Sequence, residues 1–476
     1  MNWHPVYLSA VLRPDYSYAQ THLLPYFLSA LKAHSLGLLK VGTPHAEQAV
    51  QGVQALRGFR PPPYDPAVED LFFTLDRELS RHSAVGAGAL RTALSRNDLD
   101  MTVYRLSART RLMNALLDLG HLRRVVLSLA TRERATLMVA HSHHQPAQPT
   151  TLGHYLLAVE AALSRDTARL HGALERLNLC PLGAVAMTGS SHPLDRAYTA
   201  ALLGFSGPVE NTFDAVSAGD WQTELAGVLG TCSVNLSRTL YDLLNWAAQG
   251  LLTLADGLVQ GSSVMPQKRN PVALEHARTR FSKVLGYAQA LVFSNHNVPY
   301  GDINDPGTDA QEPLHLMWQD FSQGVRLLSA SLENPSIDRD RWRGVAEHSD
   351  TTLTELADTL ARQTGDFRQA HAAAQGLLKA LRDDGRTLQQ ATDADVRALG
   401  VAVTDGTVAA ALNPDAFVER RATLGGPAPG AMRVQQERAE LRLRVDTEQQ
   451  TAWQSAFDEA EKRLWAAGTL QTAEST

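Results

Sequence analysis

The sequence predicts an all-α fold, a bundle of long helices with smaller helical regions at either end. Two observations carry this prediction. Apolar residues recur in steps of three and four over stretches well beyond the mean helix of about 11–12 residues. Period-two alternation between turn residues, the mark of half-buried strands, is scarce. The clearest stretch begins at Trp221 and continues through Leu225, Val228, Leu229, Cys232, Leu236, Leu240, Leu243 and Leu244, one face of a single helix. Similar patterns cover 100–129, 152–177 and 274–291. Helices of this length need apolar partners along their whole extent. A bundle supplies them, and stripes too broad for one chain's bundle favour an oligomer.

Turn-rich breaks fall at Arg60-Pro61-Pro62-Pro63, before Asp98, around His141 to Thr150, and around Pro299 to Pro313. They divide the chain into an N-terminal helical domain (1–97), a central long-helix bundle (98–354) and a small C-terminal domain (355–476) of short Ala/Leu helices. No internal repeat is visible.

The composition narrows the function classes. With 476 residues, 44% of them hydrophobic and 20% charged, the chain can bury a large core. Its net charge of −6 argues against nucleic acid as the main partner. Two cysteines, Cys180 and Cys232, sit among apolar neighbours and read as buried thiols of a reducing compartment. The opening stretch Met1 to Tyr7 lacks the basic and apolar runs of a secretory signal, and no stretch is long enough to span a membrane. The expectation is a cytoplasmic protein without membrane partners.

The chemistry falls in the connections. In Gly261-Ser262-Ser263-Val264-Met265-Pro266-Gln267-Lys268-Arg269-Asn270, two hydroxyls and an ammonium sit on a flexible backbone. Asn270-Pro271 then reads as N-cap and first helical residue. Such a loop is either a solvated connector or, with its free N–H groups, a receptor for a carboxylate or carbanion. The run His141-Ser142-His143-His144 holds three imidazoles, but neighbours in a loop converge poorly on one ion and no carboxylate or cysteine joins them, so no metal site is expected. In Leu94-Ser95-Arg96-Asn97-Asp98, Ser95 or Asp98 reads as the cap of a long helix.

The first of these segments resembles the GSSxMPxKxN signature of the aspartase/fumarase superfamily, with Gln267 as in its argininosuccinate lyase branch. The second is similar to that branch's THLQxAQP segment, with Ser142 in place of Thr, and the third to its SRND segment. Further matches include Pro193 to Arg196, Asn211 to Ser217, Phe367 to His371 and Gly425 to Pro429. The resemblance covers most of the chain and is weakest before about residue 70. It implies an argininosuccinate-lyase-like fold and a carbon–nitrogen lyase that releases fumarate from an N-substituted aspartate by anti β-elimination. Ser262 would abstract the proton, with Lys268 holding the carbanionic intermediate and His143 assisted by Glu275. Arg96, Asn97, Ser142, Ser263, Gln267, Asn270 and Tyr300 would bind substrate. The resemblance also implies a homotetramer whose active sites draw on three subunits, and chemistry needing neither metal nor organic cofactor.

Departures cluster where the family reads the distal end of its substrate. The N-terminal Ser and Asp expected to meet an α-ammonium fall at Tyr16 or Ser17, and at Gln20. An expected His is Phe72, a customary Gln is Leu99, and the run after Tyr300 reads Gly301 to Asp309 without the expected Lys. Argininosuccinate is therefore the default substrate, and another N-succinyl compound the alternative. A non-catalytic scaffold of the same fold is a third reading, opposed by the intact Ser262 loop.

Overall fold

The computed structural model describes residues 3–468. Met1, Asn2 and the stretch 469–476, which the readings of the two chain ends included, lie outside the described residues. The molecule is all-α apart from three small two-stranded pairings.

Five long helices form the body: Arg96–Arg132, Leu152–Leu177, Asp220–Ala248, Val272–Asn295 and Gln311–Glu333. The first has 37 residues, about 55 Å at 1.5 Å per residue. Apolar residues of all five meet in one continuous core, including Leu112, Leu119, Leu170, Leu229, Leu240, Phe281, Val284, Phe321 and Val325. Cys180 and Cys232 are buried free thiols.

The helices alternate in direction, which gives the bundle two distinct ends. At one, Arg105 donates to the carbonyl of Leu177 at 3.2 Å and stacks on Trp221. Asn295 donates there to Gln222, which in turn donates to the carbonyl of Pro306 at 2.7 Å. At the other end Glu133 pairs with Arg339 at 2.9 Å, and Leu252–Thr253 pairs with Ser336–Ile337. The helix starting at Arg96 and the loop after Asn295 thus lie at the first end. The connections after Arg132 and after Ala248 lie at the second.

The closing region, read as short helices, ends in a helix of 38 residues, Pro429–Ala466. It runs antiparallel to Arg96–Arg132, with Gln436 bonded to Thr131, Asp446 to Arg123, and Gln450 to the carbonyl of Met113. Its apolar contacts, Met432, Ala439 and Leu443, are widely spaced among charged residues, so the periodicity is faint in the sequence. Shorter helices between residues 353 and 420 close a separate small core around Leu356, Leu360, Leu377 and Leu381. The fully buried Glu355 gathers Arg362, Arg420 and Arg421 on its carboxylate and ties these helices together.

Candidate active site

The Ser262 loop projects from the second end. Gln260–Gly261 pairs antiparallel with Arg269–Asn270, so Ser262 to Lys268 forms a closed, solvent-facing tip. Arg269 anchors its base by donating to the carbonyl of Leu254 and pairing with Asp256 at 2.6 Å. At the tip, the Oγ of Ser262 accepts hydrogen bonds from the backbone N–H of Val264 at 3.2 Å and of Met265 at 3.0 Å. Two N–H donors on one serine oxygen favour negative charge there, which is what a serine must bear to act as a base. Ser263, Gln267 and Lys268 are exposed, and Asn270 is half-buried. The expected cap at Asn270 differs in detail. Asn270 is held in the strand pairing, Pro271 takes the cap position without a side-chain bond, and the helix begins at Val272 with Glu275 exposed in its first turn.

His143 sits on a structure that the sequence reading treated as a loop or a helix start. Leu137–Ser142 and Gln145–Thr151 form a β-hairpin in which Ser142 pairs with Gln145. Its two-residue turn is His143-His144, with φ of 52° and 61°. Both residues are left-handed, as a tight hairpin turn requires, although neither is the usual glycine or asparagine. The second strand contains Pro146 and Pro149, which cannot donate to a ladder and which masked it in the sequence. The turn places His143 at an exposed tip. Among the described residues, no group of three His, Cys, Asp or Glu side chains is arranged to hold a metal ion.

Arg96 and Asn97 open the long helix at the first end. Ser95 and Asp98 form a reciprocal capping box, so both candidates for the cap take part. Asp98 is fully buried and also accepts the N–H groups of Gly183 at 2.7 Å and Val185 at 2.9 Å. Burial outweighs those donors and pushes its carboxyl up to about 7. Arg96 is paired with Glu69 at 3.1 Å and with Asp70. Asn97 accepts from Ser95 at 3.0 Å and donates to the carbonyl of Ala186. Tyr300, 79% exposed, stands in the loop anchored at this same end through Pro306. Sequence reasoning passed over Glu69 and Asp70 as partners of Arg96. Their signal was two adjacent acids just before an amphipathic helix, where Asp70 caps Leu71–His82.

Within one chain, therefore, Arg96, Asn97 and Tyr300 gather at one end of the bundle. Ser142, His143, Ser262, Ser263, Gln267, Lys268, Asn270 and Glu275 gather at the other, about 50 Å away along the helices. Among the described residues no hydrogen bond or ion pair joins Ser142 or His143 to Ser262, Lys268 or Glu275. Two positions read as departures prove structural: Tyr16 donates to the carbonyl of Pro62 at 2.9 Å, and Gln20 to that of Pro61 at 2.6 Å.

Long antiparallel helices with a Gly-Ser-Ser-x-Met-Pro loop at one end define a lyase of the fumarase-like helical class. Residues 77–286 match the Lyase family model, and 350–419 match that of the argininosuccinate lyase C-terminal region. The chain is 35% identical over 446 residues to argininosuccinate lyase 2 of Agrobacterium fabrum, covering 90% of this chain and 88% of that protein. It is also 35% identical to the argininosuccinate lyase of Thermus thermophilus, over 81% of this chain and 84% of that one. An EDDS lyase solved with formate superposes with a TM-score of 0.87 at 25% identity, covering 98% of this chain and 96% of that one. A class II fumarase from Schistosoma mansoni shares the fold, with a TM-score of 0.69 at 16% identity over 83% and 90% of the two chains. The chain belongs to the argininosuccinate lyase family of carbon–nitrogen lyases. No helix among the described residues is long and apolar enough to cross a membrane.

Proposed function

We propose that the protein cleaves the C–N bond of an N-substituted aspartate, with argininosuccinate as the default substrate, releasing fumarate and an amine. The observation that carries this reading is the pair of backbone N–H groups on the Oγ of Ser262. Ser262 removes the proton from the carbon beside a carboxylate. The electron pair of that C–H bond becomes the new C=C bond as the C–N bond breaks, and the departing nitrogen takes the C–N pair and a proton. Lys268 and Asn270 hold the carboxylate on which charge accumulates, with Ser263 and Gln267 beside them. His143, its tautomer fixed by Glu275, moves the second proton. Ser142, Arg96, Asn97 and Tyr300 hold the succinyl end, Arg96 exchanging an acidic partner for the substrate's carboxylate.

These groups are too far apart in one chain to act together. The reading therefore includes a cytoplasmic homotetramer in which each site combines the Arg96 end of one subunit with the Ser262 loop and His143 hairpin of others. Tyr16 and Gln20, bound to backbone carbonyls, support a leaving group read differently from that of the wider family. The test is fumarate appearance on adding argininosuccinate and a panel of other N-substituted aspartates. Silence with argininosuccinate but turnover of another member keeps the lyase and changes its substrate. Silence across the panel, with Ser262→Ala indistinguishable from the parent, would establish the scaffold reading instead.

A further inference from the structure

The catalytic reading leaves unused a cavity of about 240 Å³ beside the closing helix, Pro429–Ala466. The helices Arg96–Arg132 and Leu24–Lys40 form its other walls. Arg109 lines it, about 20 Å along the long helix from Arg96 and on a different face. Arg109 is 9% exposed, and its guanidinium lies over the rings of Phe205 and Phe457, 4.9 and 4.2 Å from their centroids. It donates to Oδ1 of Asn178 at 3.0 Å and to the carbonyl of Leu203 at 2.9 Å. Both acceptors are neutral, and no carboxylate pairs with Arg109 among the described residues. A cation this buried normally has an anion beside it. Burial holds its pKa down at about 10.

The opposite charge lines the same cavity without being joined to Arg109. Asp458 and Glu461, both exposed on the closing helix, stand at its wall. Glu461 acts on Arg109 through space, yet the two form no ion pair. Among the described residues neither acid is paired with a cation, and Asp458 accepts only the side-chain amide of Gln454, at 2.8 Å. A simple anion drawn to Arg109 would meet these two acids, and a simple cation drawn to the acids would meet Arg109. A small molecule carrying both charges satisfies both. Leu106, Met113 and Leu203 supply apolar surface between them. The volume falls below the roughly 300–1,000 Å³ of sites for drug-sized ligands, which restricts the occupant to a small one.

We propose that this cavity binds a free α-amino acid with a short apolar side chain, its carboxylate on Arg109 and its ammonium on Asp458 and Glu461. The site is separate from the one that cleaves the C–N bond, and it stands whether or not the lyase reading does. An occupant bridges Arg96–Arg132 to the closing helix and so ties the two together.

The experiment titrates the intact protein calorimetrically with glycine, L-alanine, L-valine and L-leucine, and with the carboxamide and N-acetyl derivative of each. Each titration is repeated in excess fumarate. The expected result is that at least one free amino acid binds, equally well with fumarate present, and that both of its blocked derivatives bind at least about 10-fold more weakly. Asp458→Asn combined with Glu461→Gln weakens that binding about 10- to 100-fold, the scale of one charge-assisted hydrogen bond. Both positions are exposed, so this variant tests the site even where Arg109→Gln fails to fold. Arg109→Gln that folds, as read by circular dichroism, binds the free amino acid no better than its carboxamide. Binding by none of the four, equal binding of the blocked derivatives, displacement by fumarate, or unchanged affinity in the double variant would each overturn the assignment. None of these outcomes bears on fumarate release, which is assayed separately.

Discussion

The Oγ of Ser262 accepts the backbone N–H of Met265 at 3.0 Å, inside a loop whose base is closed by a two-residue strand pairing. The bond orients the serine lone pairs and favours an oxyanion before any substrate arrives. Replacing Ser262 by Ala should lower kcat by about 10²- to 10⁴-fold, the range of a lost general base, with an unchanged circular-dichroism spectrum. Ser263→Ala, which lacks those donors, should lose far less. Equal losses for the two serines would remove the distinction drawn between them.

The separation of Arg96 from Ser262 leads to a mixing experiment. Arg96→Ala and Ser262→Ala homo-oligomers should each be nearly inactive. Dissociated together and reassembled in equal amounts, they should recover roughly a quarter of the parent activity, because one site in four draws an intact residue from each kind of subunit. No recovery from verified mixed oligomers would mean that the two residues do not serve a common site.

Arg123 and Glu160 are both fully buried, and the guanidinium donates to one carboxylate oxygen at 3.0 and 2.8 Å. Asp446 of the closing helix takes a further bond at 2.6 Å, so three helices meet on this one side chain. Arg123→Ala should destabilise the protein by about 3–5 kcal/mol, since it leaves the buried Glu160 carboxylate with only the longer 3.4 Å contact to the partly exposed Arg442. A urea unfolding midpoint close to the parent's would contradict this.

His34 is buried and hydrogen-bonds the carbonyl of Thr92 at 3.0 Å, so its Nε2 carries the proton. Burial lowers its pKa from 6.5 to about 4. The unfolded chain therefore takes up a proton near pH 6.5 that the folded chain refuses until about pH 4. Stability is fully present above pH 6.5 and declines as pH falls through that window, by about 3 kcal/mol in all. His34→Gln should flatten the fall in melting temperature between pH 6.5 and 4, and an unaltered profile would count against it.

How much of this was legible beforehand depended on the range of the forces involved. Helical periodicity located Leu152–Leu177 and three of the other long helices, though not Gln311–Glu333, because an amphipathic stripe is written locally, every third or fourth residue. Ser95 with Asp98 was visible as a cap for the same reason. The His143 hairpin was not, since its second strand breaks the rules of strand composition at Pro146 and Pro149 and is held by the packing of its neighbours. The helix Pro429–Ala466 was also missed, its few buried residues having a partner only once Arg96–Arg132 is folded beside them.

The same division runs through the site. The Ser262 loop, the His143 segment and the Arg96 helix start were evident as motifs, because each needs particular residues at fixed short spacings. The sequence alone determined the family and the half-reaction, proton removal beside a carboxylate. Only the tertiary structure decided that Arg96 is already paired with Glu69 and Asp70, and that Tyr16 and Gln20 serve backbone carbonyls. Those outcomes depend on which charges and carbonyls the fold brings within about 3 Å across dozens of residues, and no local pattern encodes that distance.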